Sequence, residues 1–235
     1  MTPYDKLIAR KRKWTPVPVE GGPVAVGTED AISRCLALRV LEIPVGDFIK
    51  EATAKEIPES AKEILSMNIT DEINHDIALQ YVADAFPVDE KAASEAERLA
   101  QAWISHPDHP IVKAMVLERS IFFCILPFFR AFGNAGLRTT SADISRDEQI
   151  HVATNSLVCA ELGLKPSSSL DKLRKATAHW LYEPLLGQEK LSKKFWTDSS
   201  DRLMYQGKAP ELSFTRAARM PAFFEHSNVN LPQYA

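Results

Sequence analysis

From Thr28 onward, apolar residues return at helical spacing, and no stretch alternates apolar and polar positions at a period of two. Thr28 followed by Glu29 and Asp30 marks a helix start, and Ile32, Leu36, Val40, Ile43 and Phe48 then recur along a first long helix, which Pro44 should kink near Glu42, either as a distortion at a metal site or as a helix made of two pieces. Ile57-Pro58-Glu59 opens a second helix with proline in its first turn; Ile64, Met67, Asn68, Asp71, Glu72, His75 and Leu79 fall on its inner side. Phe86-Pro87-Val88 ends it, and a charged amphipathic helix follows over about residues 89–105. Residues 111–132 form the most apolar helix, with Glu118 as its one acid. Gly133-Asn134-Ala135-Gly136 makes a turn, Thr140 or Ser141 caps the next helix, and Gly163 and Pro166 close it after about Leu162. Two or three more helices follow, broken at Pro184, Gly187, Gly207 and Pro210, with a last segment at Phe223-Phe224. The first 28 residues differ: Pro3, Pro16, Pro18, Pro23 and Gly21-Gly22 predict an extended arm, anchored by Trp14. The expectation is an arm over residues 1–28, one all-α domain over 29–225 and a polar tail over 226–235.

Two of these helices carry the same chemistry. Thr70-Asp71-Glu72-Ile73-Asn74-His75 and Ser145-Arg146-Asp147-Glu148-Gln149-Ile150-His151 each contain Asp-Glu-x-x-His. Glu and His three positions apart share one helical face, so both side chains reach a common ion. A helical bundle makes a dimetal site from two such pairs plus one glutamate from each of two further helices. Glu42 stands thirty residues before Glu72, and Glu118 thirty before Glu148, so the sets Glu42, Glu72, His75 and Glu118, Glu148, His151 repeat with a displacement of 76. Acids isolated among apolar neighbours are costly to bury unless paired or metal-bound. The first helix also offers Asp47 and Glu51. His106 and His109, in a proline loop without acidic or cysteine partners at ligand spacing, read as surface residues.

Charge and cysteine usage then remove several classes. At 235 residues, net charge −3 and pI near 6.1, nothing favours nucleic acid or an acidic membrane as partner. The basic run Arg10-Lys11-Arg12-Lys13 reads as a solvated terminus. Cys35, Cys124 and Cys159 lack Cys-x-x-Cys spacing and fit buried free thiols. No secretory signal is evident, and the apolar run over residues 121–129 is short for a membrane span and closed by Arg130. A soluble cytoplasmic protein is expected. There is no Gly-rich phosphate loop and no Ser or Cys nucleophile motif.

The stretch Leu-Arg-Thr-Thr-Ser-Ala-Asp-Ile-Ser-Arg-Asp-Glu-Gln-Ile-His over residues 137–151 resembles a helix of the ferritin-like carboxylate dimetal proteins, most closely the radical-generating small subunit of ribonucleotide reductase. Glu118 with Ser120-Ile121-Phe122-Phe123 is similar to that family's preceding ligand helix, and Phe223-Phe224-Glu225 with Tyr234 is weakly similar to the close of its helical core. The doubled motif also resembles bacterial di-iron hydroxylases and acyl-carrier desaturases. The resemblance implies a ferritin-like four-helix bundle with additional helices, Glu42, Glu72, His75, Glu118, Glu148 and His151 as metal ligands, and two irons, or one manganese and one iron, as cofactor. It places Asp71 and Asp147 behind the ligand histidines and Phe122 beside the ligands. Two departures stand against a reductase role: Leu79 occupies the place of the radical tyrosine four residues after the first ligand histidine, and no long acidic tail follows the helical core. Tyr81 is the nearby redox-active candidate, with Trp103 another side chain open to oxidation. The leading expectation is a dioxygen-activating oxidase or oxygenase with an external electron donor, dimeric at most. The alternatives are a minimal reductase subunit working with a large catalytic subunit, a ferroxidase or iron-storage protein, and a structural protein with a degenerate site.

Overall fold

The computed structural model describes residues 1–86 and 88–219. The expected features at Phe223-Phe224-Glu225 and Tyr234, and the tail over 226–235, lie outside the described residues. Every regular element described is helical: α1 (Pro3–Ile8), α2 (Glu29–Ala37), α3 (Glu42–Thr53), α4 (Glu59–Ala85), α5 (Glu90–Ile104), α6 (Pro110–Leu117), α7 (Phe123–Phe132), α8 (Ala135–Glu161), α9 (Ser168–Tyr182) and α10 (Lys193–Gln206), with short tighter or wider turns between some of them.

Five of these form the four rods of the central bundle, α6 and α7 lying end to end in one rod. α3 packs on α4, α4 on α8, α8 on α6 and α7, and α6 back on α3, which closes a ring around a shared interior. The buried stripe of α4 runs through Ile64, Leu65, Asn68, Asp71, Glu72, His75, Leu79 and Val82. That of α8 includes Ile144, Asp147, Glu148, Ile150, His151, Asn155 and Val158. Both stripes keep helical spacing and are polar in the middle and apolar at the ends. The bundle is therefore sealed by hydrophobic layers above and below an ionisable layer.

Two boundaries differ from the sequence reading and a third decides between its alternatives, each for a local reason. The first long helix is two pieces: α2 ends at Ala37, a 3-10 turn spans Leu38–Leu41, and α3 restarts at Glu42. Pro44 thus sits in the first turn of α3, where its missing N–H costs nothing. The apolar helix is also interrupted, by a π-helical turn over Glu118–Phe122 in which the Phe123 N–H reaches back to the Glu118 carbonyl. α8 begins at Ala135, because the Asn134 side chain accepts from the Leu137 N–H at 2.9 Å and caps the helix six or seven residues before Thr140 and Ser141.

The N-terminal arm is not wholly extended either. Thr2 and Asp5 form a reciprocal capping box and Pro3 takes the first helical position, so residues 3–8 are the helix α1, with Tyr4 and Leu7 buried. The chain runs without regular structure from Lys11 to the turn before Thr28.

Outside the bundle, α5 buries Ala92, Ala96, Ala100 and Trp103, and the Trp103 indole donates to Thr177 on α9 at 3.0 Å. α10 packs on α9 and α7 and ends at Gly207, whose φ of 70° is the left-handed conformation that favours glycine as a helix stop. Trp196 on α10 is fully buried against Phe128, Phe132, Tyr182, Phe195 and Phe214. Trp196→Ala is expected to destabilise the chain by about 3–5 kcal/mol, the range for emptying a buried aromatic site, read as a lowered midpoint in urea unfolding.

Candidate metal centre

Glu42, Glu72, His75, Glu118, Glu148 and His151 are each at most 2 % exposed, and the bundle brings them together. One group of ligand atoms from Glu42, Glu72, His75 and Glu148 lies within 4.8 Å, and a second, from Glu72, Glu118 and His151, within the same limit. His75 Nδ1 is 3.3 Å from Glu72 Oε2, 3.3 Å from Glu148 Oε1 and 3.7 Å from Glu42 Oε2. His151 Nδ1 is 2.9 Å from Glu72 Oε1, 3.7 Å from Glu118 Oε1 and 3.7 Å from Glu148 Oε1. Glu72 thus turns one oxygen to each histidine, and one Glu148 oxygen lies between them. These two glutamates are placed to bridge, whereas Glu42 and Glu118 stand at opposite ends. Asp47 and Glu51, the other acids of α3, are solvent-exposed.

Each histidine is held from behind by the aspartate of the other repeat. His151 Nε2 lies 3.0 Å from Asp71 Oδ2, and His75 Nε2 lies 3.4 Å from Asp147 Oδ2. As the residue on α4 advances from 71 to 75, its partner on α8 falls from 151 to 147, the register of antiparallel helices. An aspartate one turn before its own histidine therefore sits level with the histidine opposite. A carboxylate at Nε2 fixes the tautomer with its proton there and leaves the Nδ1 lone pair for the interior.

Burial and mutual charge set the protonation of the cluster. Burial pushes the Glu42 carboxyl up to about 8. Burial, with the charge of Glu148 beside it, raises Glu118 well above the usual carboxylate range. Burial also acts to raise Glu72, but His151 and His75 outweigh it and hold that carboxyl far below its ordinary value. For the histidines burial disfavours the proton, yet Asp147, Glu148, Glu42 and Glu72 lift His75 well above its usual value, and Glu72 and Asp71 lift His151 to about 10. Without metal the centre is held by two imidazolium ions among carboxyl groups.

A metal fits this donor set by a direct measure. Glu42 Oε2, both oxygens of Glu72, His75 Nδ1, Glu118 Oε1, both oxygens of Glu148 and His151 Nδ1 are buried without a hydrogen-bond partner among the described residues. Such groups are rarely left so in a folded protein, and here all of them converge on one small space. Carboxylate and imidazole donors suit iron or manganese.

The N-terminal arm closes over the outer side. Lys11 and Arg12, expected in solvent, are drawn inward because two buried aspartates face them. Lys11 Nζ pairs with Asp71 Oδ2, and Arg12 pairs with Asp143 at 3.1 Å and lies 3.5 Å from Asp147. The Trp14 indole donates to Asp147 Oδ2 at 2.6 Å and stacks on His75 with ring centroids 6.3 Å apart. Asn155 donates to Glu118 Oε2 at 2.5 Å. None of these four was singled out as a site residue from sequence. Asn155 had a signal, being four residues after His151 on the same face, whereas the arm residues follow no period. Among the other expected residues, Phe122 is buried in the π-helical turn beside Glu118. Tyr81 is half-buried on α4, with no hydrogen bond to the cluster, and Trp103 is tied to Thr177 on α9.

No protein-family model matches the chain, and no curated protein matches it. A solved structure from Bacillus halodurans, described as a "putative class I ribonucleotide reductase", matches with a TM-score of 0.61 at 16% sequence identity, over 92% of this chain and 97% of that one. The chain thus shares the all-α, ferritin-like fold of that structure, and within it lies a buried Glu and His cluster compatible with a dimetal site. Among the described residues no helix is long and apolar enough to cross a membrane.

Proposed function

We propose that this chain is a dioxygen-activating oxidoreductase built on a dimetal-carboxylate centre, with Glu42, Glu72, His75, Glu118, Glu148 and His151 as ligands to two irons or to one manganese and one iron. The convergence of buried donor atoms from all six residues, none of them in a hydrogen bond, carries the reading. Glu72 and Glu148 would serve both ions, the histidines would offer Nδ1, and Asp71 and Asp147 keep the Nε2 protons in place. Bound as reduced ions, the two metals would supply two electrons. Reduction of dioxygen to two waters takes four electrons and four protons, so two electrons come from a substrate or an external donor.

The His75–Asp147–Trp14 chain supports entry of those electrons from the arm side, since Trp14 is half-buried and bonded through Asp147 to a ligand histidine. Tyr81, without a contact to the cluster, is the weaker candidate for a redox-active side chain. A cleft of about 570 Å3 lined by Arg119, Phe123, Ser145, Gln149 and Leu203 adjoins the chain neighbours of Glu118 and Glu148, which supports an external substrate. A soluble cytoplasmic homodimer belongs to the same proposal.

A second reading, a reductase small subunit acting with a large catalytic subunit, is supported by the description of the Bacillus halodurans structure and opposed by Leu79, an apolar buried residue where a radical tyrosine would stand. The test is anaerobic loading with ferrous iron, then oxygen. The expected outcome is two irons per chain and uptake of about one dioxygen per iron pair. Continued uptake of iron far beyond two per chain would instead indicate a ferroxidase. Absence of oxygen uptake by the iron-loaded chain would remove the oxidase reading, and ribonucleotide reduction on adding a large subunit would establish the second.

A further inference from the structure

We propose that Lys11 and Asn155 are positioning residues that make the two metal positions unequal, the one at Glu118 and His151 being the weaker. This rests on the dimetal reading above.

The inequality begins with the donors. Glu72 and Glu148 face both histidines, so the two positions differ in their end glutamates, and on the His151 side Glu118 does not offer both oxygens, because Oε2 accepts from the Asn155 amide at 2.5 Å. Only Oε1 of Glu118 is without a partner. An amide donor pulls charge toward the oxygen it binds, so the carboxylate that remains is a poorer ligand.

Lys11 acts on the same position from behind. Its side chain is only 4% exposed, and its ammonium pairs with Asp71 Oδ2, the oxygen that also faces His151 Nε2. Lysine only donates, so the ammonium and the imidazole N–H share one acceptor oxygen. The charge that would make His151 a stronger donor is thus partly spent on Lys11. Nζ also stands 3.5 Å from His151 Nε2, where its positive charge opposes a cation bound at Nδ1 of the same ring. On the His75 side the group sharing Asp147 Oδ2 is the neutral Trp14 indole, while Arg12 lies 3.5 Å from the other oxygen, Oδ1. A cation therefore touches the ring of His151, whereas an aromatic ring stacks on that of His75.

Anaerobic titration with manganese(II) alone, followed by the electron paramagnetic resonance signal of the free ion, reads both steps. The wild-type chain is expected to bind two ions in steps at least about 10-fold apart. Lys11→Met, similar in length and uncharged, should tighten the second step by about 10-fold, the low end of the effect of altering a histidine's outer partner, and leave the first unchanged. Lys11→Arg, which keeps the charge, should restore the wild-type second step. Asn155→Ala leaves the arm untouched and should tighten the same step. Two equal steps in the wild type would overturn the inference, as would a Lys11→Met or Asn155→Ala chain whose second step is unchanged or weaker. A wild-type chain that binds no manganese and no ferrous iron would remove the dimetal reading itself.

Discussion

Glu148→Ala is expected to yield a chain that no longer holds two metal ions and that melts at a lower temperature than the wild type when both are metal-free. Glu148 sits between His75 Nδ1 and His151 Nδ1, at 3.3 and 3.7 Å, so its loss removes a donor from both positions at once. Affinity should fall by more than the roughly 10–100-fold that follows loss of an outer partner. The loss in the metal-free state comes from the same feature. Glu148 is one of the carboxylates that hold the proton on His75 and His151, so its removal leaves buried imidazolium charge less compensated, and removing one partner of a buried charge pair costs about 3–5 kcal/mol. Elemental analysis after gel filtration and thermal melts with and without manganese check both halves, with the exposed Glu97→Ala as control. A Glu148→Ala chain that retained two ions would sink the ligand assignment. A metal-free melt at or above that of the wild type would show that Glu148 does not compensate the two imidazolium rings.

The sequence made the bundle readable because helix formation and burial there share one period. On α4 and α8 the buried positions are those of the apolar stripe, and Glu72, His75, Glu148 and His151 lie within it. Glu42 was distinguished from Asp47 and Glu51 only by its spacing to Glu72, which repeats between Glu118 and Glu148. What escaped was set by tertiary register. Asp71 precedes His75 by one turn, which suggests a partner on its own helix, but only the antiparallel packing of α4 on α8 sends it to His151. The basic run Arg10-Lys11-Arg12-Lys13 resembles any solvated terminus in composition. Two of its members are drawn inward only because Asp71 and Asp147, supplied by distant helices, leave carboxylates facing the arm. The π-helical turn at Glu118–Phe122 was equally invisible, since one additional residue in a turn hardly alters an apolar pattern.

Stability of the metal-free chain should fall as pH rises, while metal affinity should rise over the same range. His151 has its folded value lifted to about 10 from an ordinary value of 6.5, and His75 is also lifted well above 6.5. A histidine with a raised folded value contributes its full stabilisation below the unfolded value and loses it as pH climbs through the folded one. These two contributions are therefore intact below about 6.5 and decline toward about 10. Glu42, raised to about 8 by burial, acts in the same direction: between its ordinary value and about 8 the unfolded chain releases a proton that the folded chain keeps, so each step up in pH favours unfolding. Glu72, held down by the two histidines, contributes the opposite slope only in acid, below its ordinary value. Between pH 6.5 and 9 the melting temperature without metal should therefore decrease steadily. Metal binding requires the deprotonated Nδ1 atoms and carboxylates that rising pH supplies, and at pH 7.5 it should release about two protons from the histidines. Melts across this window with chelator and with manganese, together with proton release measured in weakly buffered solution, check the argument. Parallel slopes in the two series would mean that the histidine protons and the metal do not compete for the same nitrogens. Opposed slopes that converge as pH falls toward 6.5 would locate the competition at His75 and His151, where the imidazolium charge and the metal alternate in compensating the same buried glutamates.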